Sequence, residues 1–198
     1  SCKIISAEEE IRYAYYAARN YRNGEEASLA IDIGGFSTEV IDLDKEKKQQ
    51  GISLPFGLIT LLNDFDTEIE TAENYIKDML AAIPDYHCHK LIGIGLTYTY
   101  LAAVVYKCSY TDMEKQDGKA ISKKQLQHLL QSIARGEEAE YLPFLLEESY
   151  LPVLKLSIIF NISLLDRFEF SEIIVCNSGI SVGYANWLSA KKKRKAQK

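Results

Sequence analysis

The sequence predicts an α/β domain, and three observations carry that prediction. Short apolar runs suited to buried strands begin at residues 28, 90 and 172, and each leads into a glycine-containing turn. Amphipathic or apolar helical stretches follow or separate these runs. Two further extended segments, 38–43 ("TEVIDL") and 51–55 ("GISLP"), come directly after the first run.

Taken in order, residues 7–22 ("AEEEIRYAYYAARNYR") place Ile11, Tyr15 and Ala18 on one helical stripe. Ser6 is the expected N-cap, acids fill the first turn, and Asn23-Gly24 should end the helix. Residues 28–33, 38–43 and 51–55, with the charged turn "DKEKKQQ" between the last two, read as an antiparallel meander. "GLITLLNDF" is a short helix; "TEIETAENYIKDMLAAI" is a longer one, capped by Thr67 and stopped before Pro84. "KLIGIGL" is a buried strand running into the helical "TYTYLAAVVYK". Residues 121–134 form a helix, 151–168 a long and mostly buried one, and "EIIVCNSG" is a last strand turning into "ISVGYANWLSA". The basic residues at 191–198 are expected to be a solvated C-terminal tail.

Composition narrows the function. The chain of 198 residues, 47% hydrophobic, suits one domain with a sizeable core. A formal charge of −5 argues against general nucleic-acid binding, which needs a surplus of cations. The four cysteines form no C-x-x-C pair, so reduced thiols in a cytoplasm are expected rather than a disulfide framework or a zinc knuckle. His87-Cys88-His89 are adjacent in an extended segment, point to opposite faces, and read as structural. With no uninterrupted apolar run of about 18 residues and no signal-peptide pattern, neither a membrane span nor export is expected.

The chemistry is concentrated in the turns. "DIGGFSTE" at 32–39 joins a carboxylate, two glycines and two hydroxyls. Glycine lets backbone N–H groups approach an anion, and a following helix N-terminus adds to that field, so phosphate is a natural guest; a hairpin or a helix cap also needs glycine. A second such turn, Gly93-Ile94-Gly95, leads to Thr97 at a helix start.

These residues carry a resemblance. Asp32-Ile33-Gly34-Gly35-Phe36-Ser37-Thr38-Glu39 resembles the D-x-G-G-G-S-T-E loop of the exopolyphosphatase and guanosine pentaphosphate phosphatase (Ppx/GppA) family, a branch of the actin, Hsp70 and sugar-kinase superfamily. Ile5-Ser6-Ala7-Glu8-Glu9-Glu10 is similar to its I-S-G-x-E-E stretch, and Ser53-Leu54-Pro55-Phe56-Gly57 to its S-x-P-x-G segment. Gly93-Ile94-Gly95-Leu96-Thr97 with Leu101-Ala102 is similar to G-T-G-G-T…L-A; Ser178-Gly179-Ile180-Ser181-Val182-Gly183 is a poorer copy of S-G-L-R-E-G.

The resemblance implies a ribonuclease-H-like domain over residues 1–190. This would be the second half of a two-domain core whose first domain, with its own D-x-G-S loop, is missing here. It implies hydrolysis of terminal phosphoanhydride bonds of polyphosphate or guanosine pentaphosphate with Mg²⁺ or Mn²⁺. Glu10 would be the general base, and Asp32 and Glu39 would hold the cation. Gly34, Gly35, Ser37 and Thr38 would form one phosphate cradle, and Gly93, Gly95 and Thr97 the other. From the residues alone, Glu10 equally suits a first-turn helix acid and Glu39 a solvent-facing strand residue. Tyr13, Tyr15, Tyr16 and Tyr21 are expected in core or subunit packing, which leaves a homodimer open. Phe36, Leu96, Ser181 and Val182 depart from the motifs. A nucleotide- or polyphosphate-binding regulatory module with impaired hydrolysis is therefore the alternative.

Overall fold

The computed structural model describes residues 4–21, 28–44, 50–65, 69–145 and 147–196. Helix α1 (Ala7–Ala18) begins where the sequence places it. The Ser6 hydroxyl accepts the Glu9 N–H at 3.3 Å while the Glu9 carboxylate accepts the Ser6 N–H at 3.1 Å, a reciprocal cap that satisfies two otherwise orphaned donors. A 3₁₀ turn, Arg19–Tyr21, follows; the expected stop at Asn23-Gly24 and the Thr67 cap lie outside the described residues.

Strands β1 (Ser28–Ile33), β2 (Thr38–Asp42) and β3 (Gln50–Leu54) form the expected antiparallel meander. Helices α2 (Leu58–Phe65) and α3 (Ile69–Ala81) lead to β4 (Lys90–Ile94), which pairs parallel with β1 and turns into α4 (Leu96–Tyr106). A short helix α5 (Met113–Gln116) precedes β5 (Ala120–Ser122) and α6 (Lys123–Ala134). Helix α7 (Leu151–Arg167), β6 (Glu172–Cys176) and α8 (Ile180–Ala196) complete the chain, and the strand order is β3-β2-β1-β4-β6-β5. The three central strands are parallel, so their C-terminal ends and following turns share one edge.

Strand alternation divides the core. Ala30, Ile41, Ile92 and Ile94 face Ala14, Ala17 and Ala18 of α1, while Leu29, Ile31, Val40 and Val175 face the α3, α4, α6 and α7 side. Residues 148–167 are apolar and long enough to cross a membrane by composition. Leu154, Ile158, Phe160 and Leu164 of α7 are instead buried against α2, α3, α4 and α6, so this is a core helix.

Two expectations are corrected. Residues 121–134 are not helical throughout: Ala120–Ser122 pair antiparallel with the edge of β6, and Ser122 caps α6 with Gln125. Three residues are too few for alternation to register. The basic run at 191–195 also extends α8 rather than forming a separate tail, because Ala, Lys and Arg are strong helix formers and no breaker intervenes. Lys191 places its ammonium 4.8 Å above the Trp187 ring.

Helices α1 and α8 approach so closely that a Cβ on Gly183 would lie 1.9 Å from the Tyr13 carbonyl oxygen. Gly183→Ala is therefore expected to destabilise the fold by about 1–3 kcal/mol, read as a lower urea midpoint, with Ser181→Ala at an exposed position of the same helix as the neutral control.

Candidate active site

Register brings the acids together. Asp32 of β1 lies directly opposite Glu39 of β2, and Glu39 lies opposite Ser53 of β3, so the three side chains share the sheet face covered by α1. The Ser53 hydroxyl donates to Glu39 Oε1 at 2.7 Å, which orients that carboxylate. Asp32 is 9% exposed and Glu39 2% exposed. Glu10, on the first turns of α1, reaches the same cluster.

Burial is the largest cause of a rise in the Asp32 carboxyl from its ordinary 3.8 to about 7, and repulsion from Glu39 and Glu10 adds to it. Glu10 is also raised, by burial first and then by Glu39. Among the described residues no Lys or Arg forms an ion pair with any of the three. Equally, no three His, Cys, Asp or Glu side chains among them gather closely enough to enclose a metal. The arrangement suits a cation that keeps most of its waters and takes one or two carboxylates, which is how Mg²⁺ binds.

The turn after β1 is held from below. The carbonyls of Gly34 and Gly35 accept the N–H groups of Leu58 and Ile59 at 3.0 and 2.9 Å, so α2 is capped by the turn itself. Gly57 makes this possible, since a Cβ there would lie 2.5 Å from the Gly34 oxygen. With the carbonyls turned onto α2, the N–H groups of Gly35, Phe36 and Ser37 donate to no backbone acceptor among the described residues, the arrangement an anion site needs.

The second turn adds Gly95 at φ +86°, whose missing Cβ would sit 3.0 Å from Asp32 Oδ1. A side chain there would be strained and would crowd the acid. Thr97 donates to the Ile33 carbonyl at 2.8 Å and ties the start of α4 to the end of β1.

Two expected cradle residues sit elsewhere. Thr38 is fully buried on the opposite face, its hydroxyl donating to the Phe56 carbonyl at 2.9 Å, because the alternation that exposes Glu39 to α1 turns Thr38 away. Gly93 lies inside the β4 ladder, where a Cβ would come 2.1 Å from the Tyr98 ring, so it serves packing. The roles of Ser53 and Gly57 were not read from sequence. Ser53 could have been found by counting the meander register outward from Asp32; Gly57 depends on a helix–turn contact that spacing does not reveal.

An α/β sheet of this order, with acids and glycine turns at the ends of its central strands, defines a domain of the actin-like, ribonuclease-H-like class. The sequence model of the Ppx/GppA phosphatase family matches residues 1–185, and the chain belongs to that family. It is similar to the type II variant of the Aquifex aeolicus Ppx/GppA phosphatase (26% identity, TM-score 0.81, 92% of this chain and 63% of that one). A second structure of the Aquifex aeolicus family member aligns at 25% identity and TM-score 0.84, over 96% of this chain and 65% of that one. An exopolyphosphatase from Cytophaga hutchinsonii, at 20% identity and TM-score 0.74, shares the fold over 91% of this chain and 63% of its own. The chain thus spans somewhat under two thirds of these proteins.

The raised Asp32 predicts how stability follows pH. Its contribution is fully present below about 3.8 and is lost as pH rises through about 7, because folding then buries a charge that the unfolded chain exposes to water. Thermal midpoints without divalent cation should fall as pH rises from about 4 to about 7 and level off above it, and Asp32→Asn should flatten that slope.

Proposed function

We propose that this chain supplies one wall of a phosphohydrolase cleft that cleaves terminal phosphoanhydride bonds of polyphosphate or guanosine pentaphosphate. The observation that supports it best is the gathering of Glu10, Asp32 and Glu39, unpaired by any described cation, beside a turn with free N–H groups. The part of the family fold that this chain does not span would form the facing wall.

Glu10 acts as the general base in this reading. It withdraws a proton from water as the water oxygen bonds to the terminal phosphorus, and the bridging P–O bond breaks with its electrons leaving on the shortened phosphate chain. Its raised proton affinity makes it a better base than an exposed glutamate. Gly35, Phe36 and Ser37 direct N–H groups at the phosphoryl oxygens, and Gly34 shapes that turn; Gly95 and Thr97 set the second turn and keep Asp32 uncrowded. Asp32 and Glu39 would hold Mg²⁺ or Mn²⁺, which would supply positive charge to offset that on the transferring group and relieve the buried acids. Ser53 keeps Glu39 aimed.

The second reading, a binding module with impaired hydrolysis, draws on two exposed apolar side chains at the turns, Phe36 (69% exposed) and Leu96 (59%). Phosphate release separates the two. In a protein carrying this chain together with the rest of the family core, Glu10→Gln should lower turnover of polyphosphate or guanosine pentaphosphate by about 10²–10⁴-fold. Unchanged rates would remove Glu10 from the chemistry, and no release even by the unmutated protein, with Mg²⁺ or Mn²⁺ supplied, would favour the module.

A further inference from the structure

The two glycine turns leave neighbouring strands. Asp32 near the end of β1 pairs with Ile94 at the end of β4, and the Thr97 hydroxyl on the Ile33 carbonyl ties one turn to the other. Both present backbone donors at this edge of the sheet. The N–H groups of Gly35, Phe36 and Ser37 on the first turn, and of Leu96 and Thr97 at the uncapped start of α4, meet no backbone acceptor among the described residues.

On each row of donors one residue carries a large apolar side chain into solvent. Phe36 is 69% exposed and Leu96 59%, and neither belongs to either hydrophobic core, so burial does not account for them. Neither has the positive φ that would ask for glycine. The fold keeps glycine where it needs it: a Cβ on Gly35 would lie 2.9 Å from the Ile59 side chain. Ile59, itself partly exposed, lines a cavity of about 320 Å³ under the Gly34-Gly35 turn together with Leu96 and extends the apolar surface. Exposed apolar side chains are thus concentrated where the open donors are.

The donors and these side chains act oppositely on a polyanion. Open N–H groups attract phosphoryl oxygens, whereas a phosphate laid against a phenyl ring or a leucine loses hydration and gains no hydrogen bond. A ligand that delivers only its end phosphates to the donors gains from the first effect and avoids the second. A chain that continues past the turns carries further charged groups over Phe36 and Leu96.

We propose that Phe36 and Leu96 are specificity-determining residues that limit the site to short phosphate chains. The inference rests on the phosphate-binding reading of the turns and narrows its substrate class. The ligand ends in a short run of phosphates, such as tripolyphosphate, and long-chain polyphosphate is disfavoured by the two side chains rather than by any lack of donors.

Calorimetric titration of the 198-residue chain with tripolyphosphate and with long-chain polyphosphate, Mg²⁺ present, tests this. Without discrimination the long chain, with more charge and many equivalent registers, would bind more tightly; the expected result is tighter binding of tripolyphosphate. Phe36→Ala and Leu96→Ala remove only exposed atoms, so folding is not at stake. Each should raise the affinity for long-chain polyphosphate several-fold, and the double variant by about tenfold or more, as relief of a desolvation cost implies. Tripolyphosphate binding should stay close to its original value. Phe36→Leu, which keeps an apolar side chain at the turn, should relax the preference little. Tighter binding of long-chain polyphosphate by the unmodified chain, or a ratio of affinities that no variant moves, would overturn the role of the two side chains while the phosphate reading stands. An equal rise for both ligands would overturn selection by length; binding of neither ligand by any of these proteins would overturn both readings.

Discussion

The site depends on one pairing: Asp32 of β1 opposite Glu39 of β2, in a register that puts two buried carboxylates side by side. Such a pair is unfavourable by itself, since each acid loses hydration and repels the other. The fold holds it because every neighbouring residue on both strands is committed to the core, from Leu29 and Ile31 on β1 to Val40 and Ile41 on β2. A one-residue slip would turn all of these toward the wrong layer. The hydrophobic pattern thus enforces an electrostatic arrangement that it does not itself favour.

Around that pair, close approaches replace side-chain ligands. Gly95 gives way to the Asp32 carboxylate, Gly57 lets α2 rest on the Gly34-Gly35 turn, and the carbonyls of that turn are drawn onto the helix. The consequence is a turn whose Gly35, Phe36 and Ser37 N–H groups meet no backbone acceptor among the described residues, beside acids that no described Lys or Arg pairs with. Anion affinity would then come from backbone dipoles and a metal ion rather than from arginine or lysine, in keeping with the acidic composition.

Much of this was legible in the sequence, for physical reasons that differ between elements. The strands at 28–33 and 90–94 and the long buried helix are apolar runs whose length and bounding turns can be read, 38–42 alternates with a period of 2, and the Ser6 cap has a local chemical signature. Glu10, Asp32 and Glu39 could be singled out by motif and order. Thr38 and Gly93 share that motif context but are assigned by strand alternation to the far face and to the ladder, a distinction that motif matching passes over. Ser53, Gly57 and the cavity under the turn arise from contacts between distant segments. The short edge strand at 120–122 and the helical continuation at 191–196 escaped because neither carries an apolar pattern of its own.

The central claim is that the acid cluster is held without a cationic partner among the described residues, and the proposal built on it is that a divalent cation relieves it. The most direct measurement is the pH titration of the Asp32 carboxyl carbon by NMR, with and without Mg²⁺. The account predicts a midpoint near 7 in the absence of the ion and a clear fall when Mg²⁺ is added. An ordinary carboxylate midpoint that Mg²⁺ leaves unchanged would contradict it.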